Sequence, residues 1–200
     1  MFFLDIIDHL IHWDQKLFTY INSKWTNSFF DGLLPFLRES AIWAPVYLFL
    51  IVFVWQNLRK YKWWHLGFTL LTVTLTDVTS SRLIKHTVQR LRPCNDPIIA
   101  DKVRLLLNHC SGGFSFTSSH AANHFGIAMF LYLTCKSYSK WFTLFFVWAL
   151  AIAYAQVYVG VHYPLDVFCG MCVGLLLGWI TAKLYVYCTH TFTTASSPYN

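Results

Sequence analysis

Charge is scarce in this sequence. Asp, Glu, Lys and Arg together make up 12% of its 200 residues, against about 25% in a soluble globular domain. A soluble globular reading is therefore close to excluded, and so apolar a chain is not disordered. Acids are the rarest class, 9 Asp and Glu against 15 Lys and Arg, for a formal net charge of +6. A nucleic-acid binder is also basic, but it gathers its cations on a solvated face. Here they stand in short clusters between apolar runs, so no nucleic-acid partner is expected. There is no internal repeat, low-complexity linker or compositional break, and residues 1–200 read as a single domain. The start, Met1-Phe2-Phe3-Leu4-Asp5, lacks a basic n-region and a small-residue cleavage site, so it does not read as a secretory signal.

Apolar residues fill the space that charge leaves. Hydrophobic residues are 56% of the chain and aromatic residues 19%, with a mean hydropathy of +0.45. That composition predicts an all-α, polytopic membrane bundle with aromatics at the interfaces. Residues 3–21 place Phe3, Ile6, Ile7, Leu10 and Ile11 near one helical face, as an interfacial helix does. Residues 27–38 are too short for a span, which needs about 20 residues, and read as a second interfacial or re-entrant helix. Five spans are expected, at Ala41–Trp55, Trp63–Lys85, Ser118–Cys135, Trp141–Tyr158 and Pro164–Tyr187. The count becomes six if 24–38 crosses. The expected organisation is thus interfacial helices in 1–39, a bundle in 40–188 and a loose polar tail in 189–200. Gly170, Gly174 and Gly178 give the last span a doubled small-xxx-small pattern, read as helix packing within the bundle rather than dimerisation.

Orientation is less direct. Arg59, Lys60 and Lys62 mark one face with Lys136 and Lys140, while Lys85, Arg90, Arg92, Lys102 and Arg104 mark the other. Raw counting puts the second set inside, unless those cations bind a substrate. Two of six cysteines, Cys94 and Cys110, share that second loop. A disulfide between them would contribute about 3 kcal/mol by loop closure and implies an oxidising compartment. Two unrelated thiols are the alternative.

Counting along the spans gathers the polar residues. Trp64 to Lys85 is 21 positions, about 31 Å of helix and roughly one hydrocarbon thickness. Ser118, Ser119 and His120 begin the returning span on that same face, and His162 comes back to it 21 positions after Trp141. Topology thus unites clusters at 85–92, 117–120 and 156–166. Lys85 and Arg92 are two helical turns apart if the helix continues to Pro93, and an ammonium beside a guanidinium suits a phosphate or carboxylate. Thr117-Ser118-Ser119-His120 resembles a helix start, whose N–H groups favour anions. Pro164 opens another helix, with Asp166 placed to reach a nitrogen of His162. His120 and His124 could instead ligate a metal, though this spacing without an intervening Glu is a weak signal. Asp77, mid-span, needs a polar partner.

Three segments carry a family resemblance. KHTVQRLRP at 85–93, SFTSSHAANHF at 115–125 and QVYVGVHYPLDV at 156–167 resemble, in order and internal spacing, the three signatures of the type 2 phosphatidic acid phosphatase (PAP2) superfamily. The resemblance covers about residues 64–188. It implies a hydrolase of lipid phosphates or pyrophosphates in which His162 is the nucleophile, Asp166 orients it and His120 is the general acid. Lys85, Arg92, Ser118 and the Ser119 backbone would hold phosphate oxygens. It implies no metal or other cofactor, and a site at the extracytoplasmic interface. With the size of the chain it suggests a bacterial inner (plasma) membrane with the site facing the periplasm. Candidate substrates are polyprenyl pyrophosphate, phosphatidylglycerol phosphate, phosphatidate and lipid A phosphate. Thr117 and Ser119 depart from the usual Pro and Gly, and Gln156 stands where the third signature has Arg. Another cation is expected to compensate, Arg104 first and Arg90 second. The alternatives are a lipid phosphotransferase, and a non-catalytic lipid-phosphate binder or transporter, the latter motivated by Gln156. The sequence leaves the oligomeric state open.

Overall fold

The apolar runs become helices because a buried or lipid-exposed backbone must satisfy its own hydrogen bonds. The structure, a computed structural model, describes residues 2–195, and all regular elements among these are helical. Helix α1 (Phe2–Thr19) ends in a π-helical turn, Tyr20–Lys24. Helix α2 (Ser28–Leu37) follows, capped by Asn27, whose side-chain oxygen accepts the Phe30 N–H at 2.9 Å. Then come α3 (Ala44–Asn57), α4 (Lys62–Asp77), a π-helical stretch Val78–Ile84 and α5 (Lys85–Val88). The bundle closes with α6 (Ser119–Cys135), α7 (Leu144–Tyr158) and α8 (Pro164–Ala195).

Among the described residues, three helices are long and apolar enough to cross a membrane: 40–57, 140–158 and 164–191. The expected second and third spans are present as helices but do not reach that standard. The former carries Thr69, Thr72, Thr74, Thr76 and Asp77, and the latter has 17 residues. At ten residues, α2 has about half the length a span requires. Helix α1 leaves Ile6, Ile7, Leu10 and Ile11 exposed while burying Asp14 and Phe18, so its apolar face is free to meet lipid.

Two boundaries differ from expectation. The helix bearing Lys85 does not continue to Pro93. It ends at Val88, and Gln89 takes a left-handed conformation (φ 52°), a common way to close a helix. Arg92 is extended (φ −74°, ψ 152°), because a residue before proline is pushed out of the helical region. At the other end α8 runs on to Ala195, through part of the expected loose tail, whose residues 196–200 lie outside the described residues.

Helix α6 is the hub, packed on α8, α7 and α4. The glycine spacing of α8 explains the closest of these contacts. A Cβ on Gly170 would sit 2.5 Å from the Ser118 carbonyl oxygen, and Cβ atoms on Gly174 and Gly178 would overlap the carbonyl oxygens of Ala122 and Gly126. The stripe therefore packs inside the bundle, backbone to backbone. Thr72 and Thr181 bond across α4 and α8 at 2.7 Å, and Thr76 donates to Asn123 at 2.8 Å. Asn123 in turn donates to Asp77 at 3.3 Å, supplying the partner that acid needs. Gly174→Val should lower stability by about 1–3 kcal/mol and reduce turnover, since α6 and α8 carry the site at their N-termini. Thermal unfolding in detergent checks the first part, and a phosphatase assay the second.

Candidate active site

The sharp stop after Gly160 sets the geometry around His162. Gly160 adopts φ 93°, a conformation that side chains disfavour. The His162 and Val161 N–H groups fold back onto the Gln156 carbonyl at 3.2 and 3.3 Å. Pro164 then starts α8. His162 is 2% exposed and lies between a guanidinium and a hydroxyl–carboxylate pair. On one side Arg92 Nη1 donates to His162 Nε2 at 3.1 Å. Arginine can only donate, so Nε2 is the unprotonated nitrogen and Nδ1 carries the hydrogen. On the other side Nδ1–H faces Ser115 Oγ at 3.3 Å, and that hydroxyl donates to Asp166 Oδ2. The direct Nδ1–Oδ2 separation is 3.6 Å, too long for a hydrogen bond. Asp166 therefore orients His162 largely through Ser115. This serine lies inside the quoted second segment, yet its spacing did not mark it.

Asp166 is fully buried and its carboxylate is saturated. It also accepts the Tyr163 N–H at 2.9 Å and Arg90 Nη1 at 2.7 Å. Arg90 extends its other arm to Asp14 at 2.6 Å, and Asp14 accepts the Leu165 N–H at 2.8 Å. The guanidinium also lies 3.9 Å over the Tyr163 ring. This chain from α1 towards His162 joins residues 76 positions apart on each side of Arg90, and no local sequence pattern signals it. Arg90 is thus committed to two carboxylates and is not a free phosphate ligand.

Arg92 is held by the Gly113 and Gly112 carbonyls at 3.2 Å each and by Val161 at 3.1 Å. Of the two signature cations of the first segment, Arg92 contacts His162 directly although the helix breaks between Lys85 and Arg92, and Lys85 acts on the imidazole only through its charge. Cys94 and Cys110 are disulfide-bonded with a Cα–Cα distance of 5.9 Å, closing the loop that delivers Arg92. Ser118 caps α6, its Oγ accepting the Ala121 N–H at 3.4 Å, while its own N–H is given to the Asp166 carbonyl at 3.0 Å. Its hydroxyl hydrogen, not its amide, is what remains for a substrate. His120 lies on the first turn of α6, its ring parallel to that of His124 at 6.3 Å. His124 Nδ1 pairs with the His120 carbonyl at 2.7 Å. Ser119 Oγ, Thr117 Oγ1 and both amide atoms of Gln156 are buried without a protein partner.

Arg104 does not join this group. It donates to Asp31 at 2.8 Å and to the Asn22 carbonyl at 3.0 Å, and its guanidinium lies 5.2 Å from the Tyr158 ring. It ties the disulfide loop to α2, and the expectation that it replaces the missing arginine is not supported.

The PAP2 superfamily profile matches residues 62–190, which is more than half of the chain and contains all three segments. The chain belongs to the PAP2 superfamily. A lipid A 4'-phosphatase of Bacteroides thetaiotaomicron is 32% identical over 191 residues, covering 94% of this chain and 82% of the relative. An undecaprenyl-diphosphatase of Sulfolobus acidocaldarius is 29% identical over 180 residues, covering 87% and 79%. The crystal structure of a transmembrane PAP2-type phosphatidylglycerolphosphate phosphatase from Bacillus subtilis superposes with a TM-score of 0.62 at 21% identity, over 96% of this chain and 90% of that one. With its apolar helices, this PAP2 chain is an integral membrane protein.

Burial pushes the His162 imidazole down to about 4, against the opposing pull of Asp166 and with help from the Arg92 charge. The unfolded chain has the ordinary value of 6.5. Unfolded His162 thus binds its proton first as pH falls. This contribution to stability is complete above pH 6.5 and is lost progressively towards pH 4. A neutral His162 imidazole is likewise kept down to that range. The acid limb of kcat/KM, which reports the free enzyme, should fall near pH 4 rather than near 6.5. A pH–rate profile on a soluble phosphate ester checks it.

Proposed function

We propose that this PAP2 protein is a metal-independent lipid-phosphate phosphatase acting through a phosphohistidine on His162. The observation that carries this reading is the tautomer: Nε2 holds a lone pair beside Arg92, and Nδ1–H is fixed by Ser115 and Asp166. Nε2 attacks phosphorus, the Nε2–P bond forms and the ester P–O bond breaks. His120 gives its proton to the leaving lipid oxygen. A water then attacks the phosphohistidine, His120 takes its proton, and the Nε2–P electron pair returns to the ring. Lys85, Arg92, Ser118 and Ser119 hold the phosphoryl oxygens, and their donors are set before charge shifts. Gln156 contributes neutral hydrogen bonds at most.

An apolar cavity of about 390 Å³ favours a lipid over a soluble ester. Lined by Ser40, Tyr47, Val54, His65, His124 and Leu131, it runs between α3, α4 and α6 and begins beside the His120–His124 turn. An acyl chain could enter it sideways while its headgroup meets the cations. We place five spans in the bilayer and the site at the outer interface of a bacterial inner membrane, a placement supported by the disulfide. The chain-long likeness to a lipid A 4'-phosphatase makes the lipid A 4'-phosphate monoester the first substrate to test. Release of phosphate from lipid A, polyprenyl pyrophosphate, phosphatidylglycerol phosphate and phosphatidate, in detergent with EDTA, should rank lipid A highest. Loss of the 4' group should be visible by mass spectrometry. Acceptor-dependent turnover without free phosphate would replace this reading by a phosphotransferase.

A further inference from the structure

Gln156 is 0% exposed, uncharged and unpartnered at both side-chain atoms, and the two cations expected to compensate for it are committed elsewhere. A different arginine meets the requirement. Arg38 caps the C-terminus of α2. Its side chain is 13% exposed, its Nε is buried without a hydrogen-bond partner, and Glu39 is 3.8 Å from Nη1. That carboxylate is itself largely in solvent, so the ion pair is weak. Arg38 is thus a mostly buried guanidinium with little to bind.

Its location follows from packing. Trp43 Nε1 donates to the Leu37 carbonyl at 2.8 Å, pinning the end of α2. The Trp43 ring packs against Trp148 at 5.5 Å, and Trp148 packs against His124 at 4.7 Å, one turn from His120. The Arg38 charge acts on both His120 and Arg92. Asp31, held by Arg104 and by the Tyr158 hydroxyl at 2.8 and 2.7 Å, fixes the same helix from its other end. The loop cation therefore helps to position α2, and α2 presents Arg38.

We propose that Arg38 is a phosphate-binding residue that supplies, from the N-terminal α2 segment, the guanidinium that Gln156 does not. It joins Lys85 and Arg92 around the phosphoryl group, and it works from the leaving-group side because the end of α2 that bears it packs, through Trp43 and Trp148, beside the His120–His124 turn. The inference rests on the hydrolase reading but is separable from it. Arg38→Ala should lower kcat/KM by about a hundredfold with unchanged thermal unfolding, and Arg38→Lys should fall between. In the Arg38→Ala chain, adding Gln156→Arg should restore about tenfold or more, which a merely structural role for Arg38 would not predict. Inorganic phosphate should raise the melting temperature of the parent and not of Arg38→Ala, a readout independent of turnover. A parent that hydrolyses no lipid phosphate overturns the hydrolase reading, and the phosphate-protection comparison still decides the role of Arg38. Equal protection, or Arg38→Ala and Arg38→Lys within about threefold of the parent, overturns the role assigned to Arg38.

Discussion

His162→Ala should abolish phosphate release from every lipid phosphate the parent hydrolyses, a loss of about 10⁴-fold or more. Alanine removes the Nε2 lone pair that Arg92 Nη1 holds in place. Release by the parent should be unaffected by EDTA. Stopped assays of inorganic phosphate in detergent test both statements. The same reaction, quenched in alkali, should show phosphate on the parent protein and none on the variant. Turnover surviving in His162→Ala would end the phosphohistidine mechanism. Inhibition by EDTA would return attention to His120 and His124 as metal ligands.

Arg90→Ala should be the most destabilising single substitution near the site. It strips the counterion from Asp14 and Asp166, whose side chains are 5% and 0% exposed. Breaking one partner from a buried pair costs about 3–5 kcal/mol. Asp14→Asn, which leaves the Arg90–Asp166 contact in place, should cost less. If Arg90 bound substrate instead, Arg90→Ala would raise KM and leave the unfolding transition where it was. Thermal unfolding alongside KM separates the two.

Much of the active site was legible because membrane crossing is a strong ruler. A helix of fixed rise across a slab of fixed thickness brings Lys85, Ser118 and His162 to one face from counting alone, and in the structure Ser118 is bonded to the helix start that follows His162. The helix starts at Ser118 and Pro164 were readable from capping chemistry. What counting could not read were contacts set by tertiary packing. The helix break at Gln89 was hidden because Arg92 reaches His162 from an extended segment as well as from a helix. Asp14 lies 76 positions from Arg90, and nothing near it in the sequence links the two. Arg104 looked suited to substrate because it shares a loop with the disulfide, but Asp31 and Asn22 claim it. Arg38 is a single cation at the end of a short apolar helix, with no motif around it. The threonine-rich α4 is less apolar than a typical span because Thr72 and Thr76 turn their hydroxyls to neighbouring helices.

The chain from Asp14 through Arg90 and Asp166 to His162 has a consequence for biosynthesis. A ribosome makes the N-terminal part first, so Asp14, Arg90, Arg92 and Ser115 are all synthesised before His162 exists. His162 and Asp166 arrive last, with α8, and Gly170, Gly174 and Gly178 must seat against α6 before the imidazole is oriented. An arrested or half-inserted chain therefore has no active site, and the onset of hydrolysis can serve as a clock for insertion of the final helix.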